Sequence, residues 1–191
     1  EWFAAVRTAY RALRAECSVC GVVGLSLGAV LARLLFDEAL APDALVLLAM
    51  PWRIDDPLGR ALLPRLRGTS VARRWIRIKD GGPDISDPEA RARSVSYAWT
   101  SLYAVAEVDA ALRAQRRTAR PLGAPVLMLH GAHDHVAALA GAREAARRFG
   151  GDAQLEVMPR SWHVLTQDVE AERVAQRVAA FLDQVLGSAS C

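Results

Sequence analysis

The sequence has few cysteines, a single lysine and no long uninterrupted apolar run. Its cysteines are Cys17, Cys20 and Cys191, an odd number without the framework of a disulfide-stabilised domain. This cysteine usage predicts free thiols in a reducing, cytoplasmic compartment. The apolar stretch at 19–36 is interrupted by glycines and by Arg33, so it does not predict a membrane-spanning helix.

Positive charge is carried almost entirely by arginine. Lys79 is the single lysine, so 23 of the 24 basic residues are arginine, and the formal net charge is +3. Arginines are concentrated at 60–77 and 113–120, but acidic residues are spread through the chain and no nucleic-acid recognition motif accompanies them. These features predict a solvated basic surface and no nucleic-acid partner.

Length and hydrophobic content predict one domain with a sizeable core. The chain has 191 residues, of which 52% are hydrophobic and 24% charged, a balance typical of globular domains. Apolar runs that suit buried strands alternate with helical patterns, which predicts an α/β fold with a parallel sheet of about four strands. The predicted strands are at 18–24, 44–50, 124–130 and 153–158, and the predicted helices around them are at 1–15, 27–40, 138–149 and 169–186. The apolar stripe of the first helix is Trp2, Val6, Tyr10 and Leu13.

The alternation breaks over residues 52–120, where no further run of buried-strand type occurs. Asp87 followed by Pro88 predicts the start of a helix. We therefore expect a helical insertion, either a cap over the substrate site, which we favour, or an ordinary helical layer. The apolar residues spaced as one helical face are Val95, Trp99, Leu102 and Ala106.

A serine between two glycines lies at the junction of the first strand and the second helix. The stretch at 24–28 reads Gly-Leu-Ser-Leu-Gly, the pattern of a nucleophile elbow, in which a sharp turn holds the Ser26 hydroxyl above the strand end. Gly24 and Gly28 fit this turn because a Cβ at either position would press on the neighbouring strand or helix. The alternative is a glycine-rich turn with an incidental serine.

A serine hydroxyl becomes a nucleophile when a histidine acts as its base and a carboxylate orients that histidine. In an open α/β sheet such groups lie past the carboxyl ends of strands. Asp134 follows the strand at 124–130, and His163 follows the strand at 153–158. The order Ser26, Asp134, His163 is the one found in α/β-hydrolases, and it favours Ser26 as a nucleophile.

A cluster of histidines near the predicted acid suggests a metal site as an alternative. The spacing of His130, His133 and His135 does not match that of zinc proteases, and His163 is the one remaining histidine. We interpret His133 and His135 as loop residues and His130 as a strand-end residue, with no metal bound. Asp168 is predicted to cap the last helix.

The chain resembles the α/β-hydrolases, and within them the small bacterial carboxylesterases and monoacylglycerol-lipase-like serine esterases. The resemblance rests on residues 23–28, on 124–126 leading to 131–134, and on 161–168. It covers nearly the whole chain, although the insertion is matched only in position and helical character.

The resemblance implies a mechanism and a set of site residues. Ser26 would be the nucleophile, His163 the general base and then acid, and Asp134 the carboxylate that orients His163. The N–H of Leu27 would be one donor of the oxyanion hole. An acyl-enzyme on Ser26 would be hydrolysed by water, without a cofactor.

The start of the sheet departs from the family's pattern. In these enzymes several strands precede the elbow. The loop that follows one of these early strands, often with the sequence His-Gly, supplies the second donor of the oxyanion hole. Here the strand before Ser26 begins by residue 19, after one helix. We expect residues 1–191 to be the C-terminal portion of a single α/β-hydrolase domain, with its cap at about 52–120. Alone, this chain is expected to be weakly active or inactive, with an open sheet edge that favours self-association.

The leading hypothesis is hydrolysis of small or medium acyl esters or of monoacylglycerol-type substrates, with Trp75, Trp99 and Tyr103 lining an acyl pocket. Two alternatives stay open. One is a truncated, non-catalytic interaction module whose open sheet edge pairs with another chain. The other is an acyltransferase or thioesterase, because pocket shape rather than the three residues selects the acceptor.

Overall fold

The chain folds into a parallel sheet covered by helices on both faces. The computed structural model describes residues 1–38, 40–78, 82–97, 99–151 and 153–187. The helices are α1 (Trp2–Glu16), α2 (Leu27–Leu34, continued by a 3-10 turn at Leu35–Glu38), α3 (Pro57–Leu66), α4 (Ser70–Arg74), α5 (Pro88–Arg93), α6 (Leu102–Arg117), α7 (Leu139–Phe149) and α8 (Ala171–Leu186). The strands are β1 (Gly21–Leu25), β2 (Ala44–Leu48), β3 (Ile76–Ile78), β4 (Trp99–Ser101), β5 (Val126–Gly131) and β6 (Ala153–Met158).

Four strands form the main sheet in the order β1-β2-β5-β6, and each neighbouring pair is parallel. The predicted α/β class is therefore confirmed. The central strands β2 and β5 are buried along their full length, because helices cover both of their faces. In the described part of the chain β1 pairs only with β2, so its other edge is open there.

Helices pack against both faces of this sheet. On one face α2, α6 and α7 surround Trp52, whose ring meets Phe149 edge-on at 6.0 Å. On the other face α8 buries Val174 and Phe181 against β2 and β5. With both faces covered, the loops at the carboxyl ends of the strands are the natural place for a site.

The segment before β1 differs from the prediction. β1 begins at Gly21 rather than at 18, and the preceding Cys20 N–H donates to Asp43 Oδ2 at 2.7 Å. Cys17 and Cys20 are buried, and both precede β1, although the predicted strand at 18–24 included Cys20. Cys191 lies outside the described residues.

The insertion contains a small antiparallel ribbon, β3 with β4, that the sequence did not predict. Strands of three residues are too short for a burial pattern to emerge. The predicted helical face from Val95 to Ala106 is wrong, because Trp99 lies in β4 and α6 begins only after Ser101. The Ser101 hydroxyl caps α6 by accepting from Ala104 N at 3.1 Å.

Two further helix predictions have different outcomes. Asp87 caps α5 as predicted, and its Oδ1 accepts from the N–H groups that follow Pro88. In α1, Tyr10 is buried against the 3-10 turn after α2, but Trp2 and Leu13 are exposed, so the predicted core stripe is only partly right. Within the described ranges no helix combines the length and apolar character needed to cross a membrane.

Candidate active site

Ser26 occupies the turn between β1 and α2 with a backbone conformation that residues other than glycine rarely adopt. Its φ is 53° and its ψ is −118°, a strained combination for a residue with a Cβ. The turn is held from both sides, since Ser26 N–H donates to Leu48 O at 2.8 Å and Ser26 O accepts from Ala29 N at 3.0 Å. The next residue, Leu27, begins α2, where backbone N–H groups have no acceptor within the helix.

The two glycines around Ser26 differ in their steric surroundings. A Cβ on Gly24 would lie 2.5 Å from the Gly28 carbonyl oxygen and 2.6 Å from Ala29 N. β1 and α2 can therefore approach this closely only because residue 24 has no side chain. At Gly28 an added Cβ would meet nothing within 4 Å among the described atoms beyond its own helix backbone. The predicted steric reason for glycine is therefore confirmed at Gly24 and wrong at Gly28.

Ser26, His163 and Asp134, here called the Ser26 array, form one hydrogen-bonded row. Ser26 Oγ lies 2.8 Å from His163 Nε2, and His163 Nδ1 lies 2.8 Å from Asp134 Oδ2. The three side chains belong to three loops at the carboxyl ends of β1, β5 and β6. If the serine hydroxyl donates to Nε2, the imidazole proton is on Nδ1 and donates to the carboxylate. This is the arrangement in which a histidine accepts a serine proton and a carboxylate stabilises the resulting imidazolium.

The Asp134 carboxylate is fully buried and receives several hydrogen bonds. Its Oδ1 accepts from Val136 N at 2.8 Å and from Ala137 N at 2.7 Å, both within the acid loop (residues 132–138, between β5 and α7). Burial by itself would raise the pKa of Asp134, but the hydrogen bonds from His163 and Ala137 and the nearby imidazoles outweigh it and lower the pKa. Asp134 is therefore an anion at neutral pH.

His130 lies behind this carboxylate in β5 and is buried. Its Nε2 is 2.8 Å from the Ala137 carbonyl oxygen and 3.3 Å from Asp134 Oδ2, so the ring proton is on Nε2. Burial lowers the pKa of His130, against the smaller contributions of Ala137 and Asp134 that raise it. A neutral His130 thus supports the acid loop at neutral pH.

Two carboxylates stabilise the conformation of the histidine loop (residues 159–170, between β6 and α8). Glu170 Oε2 accepts from Arg160 N and from Ser161 Oγ, both at 2.9 Å. Burial would raise the pKa of Glu170, but these two hydrogen bonds, together with the charges of Arg160 and Arg173, outweigh it and lower the pKa. Asp168 Oδ2 accepts from Trp162 N at 2.7 Å, so the three residues before His163 are held by side chains that follow it.

The predicted role of Asp168 as the cap of the last helix is wrong. α8 begins after Glu170, and Asp168 Oδ1 instead accepts from Ser86 N at 3.0 Å, from Ser86 Oγ and from Asp87 N at 3.2 Å. Asp168 therefore connects the histidine loop to residues 82–87 of the insertion, here called the strap.

Asp84, in the strap, contacts both the acid loop and the histidine loop. Its Oδ2 accepts from His135 N at 3.0 Å and from His163 N at 3.2 Å, and its Oδ1 lies 2.8 Å from His135 Nδ1. The Asp84 carbonyl accepts from Val164 N at 3.1 Å. Sequence reasoning missed Asp84 because it is 79 residues from His163 and belongs to no motif; its loop position before α5 was the one available signal.

A cavity of about 420 Å³ lies apart from the Ser26 array, between the start of α1, α2 and α6. Tyr103 and Leu31 line it, but no residue of the array does. Trp75 is 63% exposed and Trp99 is 51% exposed. The predicted acyl pocket of Trp75, Trp99 and Tyr103 is therefore wrong, because the two tryptophans face solvent while Tyr103 faces this cavity.

The histidines near Asp134 have separate partners. His130 contacts Ala137, His135 contacts Asp84, and His133 is exposed. Among the residues that the structure describes, no group of three or more His, Cys, Asp or Glu side chains is arranged to hold a metal ion.

A family model described as serine aminopeptidase, S33, matches residues 4–170. The chain therefore belongs to this family of α/β hydrolases. In a search of curated proteins, no sequence matches significantly.

Solved structures with the same fold include several lipolytic enzymes. The structure reported for the metagenome-derived lipolytic enzymes LipS and LipT is 20% identical, with a TM-score of 0.82 over 96% of this chain and 72% of that chain. The monoacylglycerol lipase of Paleococcus ferrophilus is 16% identical, with a TM-score of 0.79 over 95% and 74%. A soluble variant of the Saccharomyces cerevisiae monoglyceride lipase is 15% identical, with a TM-score of 0.74 over 100% and 69%. At these identities the likeness shows the fold.

Proposed function

We propose that the protein is a serine hydrolase that cleaves carboxylic esters through an acyl-enzyme on Ser26. The observation that carries the proposal is the row from Ser26 Oγ to His163 Nε2 and from His163 Nδ1 to Asp134 Oδ2, with both contacts at 2.8 Å. The strained elbow at Ser26 supports it, because strain that the surrounding structure maintains is common at reactive residues.

The acylation step follows from this row. Ser26 Oγ attacks the ester carbonyl carbon while His163 Nε2 takes the hydroxyl proton, and the carbonyl oxygen becomes an oxyanion. Asp134 stabilises the imidazolium through Nδ1–H and is not itself protonated. When the carbon–oxygen bond to the alcohol breaks, His163 returns its proton to the departing alcohol, which leaves an acyl group on Ser26.

Deacylation repeats the same proton transfers with water. His163 takes a proton from a water molecule, whose oxygen attacks the acyl carbon. Collapse of the second tetrahedral intermediate releases the carboxylic acid and returns the proton to Ser26 Oγ. The single histidine is therefore base and acid in turn.

We assign Leu27 N–H as one oxyanion donor, because it opens α2 directly after the nucleophile. The helix N-terminus adds a favourable dipole for a developing negative charge. One donor is worth about a hundredfold to a thousandfold in rate, so a site with this donor alone is expected to turn over slowly.

The ester class is supported by the lipolytic enzymes that share the fold. Small or medium acyl esters and monoacylglycerol-type esters are the proposed substrates. No cofactor is required, and residues 52–120 are proposed to cap the site within one domain spanning 1–191. The cytoplasm is the proposed compartment, on the basis of the free thiol of Cys20 and the odd number of cysteines in the sequence.

The open edge of β1 favours one second candidate, an interaction module that pairs this edge with another chain. A monodisperse monomer with ester turnover would rule it out. Acyl transfer to an alcohol and thioester cleavage use the same three residues, and adding a primary alcohol to the assay separates hydrolysis from transfer by its products.

A fluorophosphonate probe tests the proposal. The wild-type protein should be labelled at Ser26 and should hydrolyse p-nitrophenyl butyrate, whereas the Ser26→Ala variant should do neither. Ser18→Ala is the matched control, because Ser18 is exposed and precedes β1 at the end opposite Ser26, so labelling at Ser26 should stay intact. An aminoacyl p-nitroanilide tests peptide-type cleavage alongside. Labelling elsewhere with unchanged hydrolysis by Ser26→Ala would reject the proposal.

A further inference from the structure

We propose that Asp84 is a positioning residue for His163: its carboxylate holds the histidine loop against the acid loop and so fixes the base relative to Asp134. The inference rests on the proposed function, in which His163 is the general base. It extends that function by giving the insertion a part in assembling the Ser26 array.

The geometry connects the two loops through one oxygen atom. Asp84 Oδ2 accepts from His163 N at 3.2 Å and from His135 N at 3.0 Å. His135 directly follows Asp134, so the main chains next to the base and next to its carboxylate share a single acceptor. A carboxylate suits this position because it accepts hydrogen bonds from several donors at once.

The second oxygen of the carboxylate strengthens the same link. Asp84 Oδ1 lies 2.8 Å from His135 Nδ1, and the His135 ring meets Trp162 edge-on with centroids 4.6 Å apart. Trp162 directly precedes His163, so the imidazole of His135 extends the contact between the loops. The Asp84 side chain is 13% exposed, which keeps most competing water away.

The strap is anchored by contacts that do not involve the Asp84 carboxylate. Ile85 is fully buried, and its carbonyl accepts from Arg91 Nε at 2.8 Å. Ser86 is held by Asp168, and the Arg91 guanidinium lies 4.7 Å from the centre of the Trp162 ring. Removal of the carboxylate should therefore leave the strap in place and loosen only the link between the two loops.

The two informative substitutions at Asp84 differ in what they retain. Asp84→Ala leaves the N–H groups of His135 and His163 without this acceptor. In Asp84→Asn the side-chain oxygen still accepts from both, and the amide donates to His135 Nδ1 when that ring is neutral. Asp87→Asn is the matched control: Asp87 lies in the same strap, caps α5 and does not touch the histidine loop through its carboxylate.

The experiment measures p-nitrophenyl butyrate turnover at pH 8 per site titrated with the fluorophosphonate, which corrects for unfolded protein. For Asp84→Ala we expect kcat per titrated site to fall about tenfold to a hundredfold with little change in KM, as for a misplaced catalytic group. Asp84→Asn should recover most of this loss, and Asp87→Asn should match wild type. Unchanged kcat per titrated site in Asp84→Ala would show a merely structural role and overturn the inference.

A second readout does not depend on turnover. The proton between His163 Nδ1 and Asp134 gives a low-field proton NMR signal, which is assigned by its loss in His163→Asn. This signal should be present in the wild type, Asp84→Asn and Asp87→Asn, and broadened or lost in Asp84→Ala. If the wild type is neither labelled nor active, the proposed function fails, whereas the positioning inference fails if Asp84→Ala keeps the signal or keeps the wild-type kcat per titrated site.

Discussion

Gly131 and Trp162 approach so closely that a Cβ on Gly131 would lie 2.1 Å from the Trp162 carbonyl oxygen. Gly131 ends β5 directly before the acid loop, and Trp162 directly precedes His163. The His133 N–H donates to Ser161 O at 3.2 Å beside this contact. Asp134 and His163 are therefore brought together by a backbone approach that only glycine permits.

Replacing Gly131 with alanine should separate these two loops. We expect the free energy of unfolding to fall by about 1–3 kcal/mol, as for overpacked cores, and ester turnover to fall further than stability alone explains. Urea unfolding and kcat per titrated site measure the two effects. Gly151→Ala is the control, because a Cβ there would meet no described atom within 4 Å. Wild-type turnover in Gly131→Ala would contradict this account of the loop contact.

The two glycines of the elbow should respond differently to alanine. Gly24→Ala places a Cβ 2.5 Å from the Gly28 carbonyl oxygen, so fluorophosphonate labelling of Ser26 and the melting temperature should both fall. Gly28→Ala should keep the melting temperature or raise it, since alanine is favoured over glycine in a helix by up to about 1 kcal/mol. Equal melting temperatures for the two variants would refute the assigned difference.

The Ser26 array could be predicted from sequence because its members obey a local rule. Ser26, Asp134 and His163 each follow an apolar run of strand type, and parallel strands bring such positions to one edge of the sheet. Asp84 follows no apolar run of strand type and Asp168 lies close to a helix, so no local rule pairs them with their partners 79 and 82 residues away.

The insertion could be located by sequence but not resolved into its elements. The break in the alternation of strands and helices marks its position in the sequence. The three-residue strands β3 and β4 are too short to show a periodicity, and the spacing from Val95 to Ala106 matched that of one helical face. The structure shows that Val95 and Ala106 do not share a face, because Val95 is 99% exposed whereas Ala106 is buried in α6. Spacing alone cannot distinguish a helical face from apolar residues that happen to recur.

Asp134→Asn should remove almost all ester turnover without changing the fold. The asparagine oxygen can still accept from Val136 N and Ala137 N, but the amide would donate to His163 Nδ1 and place the imidazole proton on Nε2. His163 could then not take the Ser26 proton, and kcat should fall by about ten-thousandfold. Stopped assays with p-nitrophenyl butyrate measure this, with the exposed Asp55→Asn as control. A loss below tenfold would mean that Asp134 does not set the tautomer.

His130 should make the protein less stable in mild acid. Burial holds the pKa of folded His130 below its ordinary value of 6.5, so the unfolded chain takes up the proton first as the pH falls. The free energy of unfolding is therefore highest above pH 6.5 and declines as the pH falls from there towards the folded pKa. The lowered pKa values of Asp134, Asp168 and Glu170 act in the same direction at lower pH, below 3.8, 3.8 and 4.5.

Urea unfolding between pH 5 and 8, the range in which histidine side chains titrate, checks this prediction. His130→Gln should flatten the decline below pH 6.5, because a glutamine amide can still donate to the Ala137 carbonyl but does not titrate. His133→Gln, at an exposed histidine of the same segment, should keep the wild-type slope. An unchanged slope in His130→Gln would assign the acid sensitivity to another group.

The acyl-enzyme itself provides the most direct test of the central claim. The protein is mixed with p-nitrophenyl butyrate, quenched in acid within the first turnover, digested and analysed by mass spectrometry. The account predicts a butyryl group on the peptide that contains Ser26. This adduct should be absent in Ser26→Ala, and it should persist longer in any variant in which water attacks the acyl-enzyme more slowly. Ester hydrolysis with no adduct, or with an adduct on another residue, would contradict it.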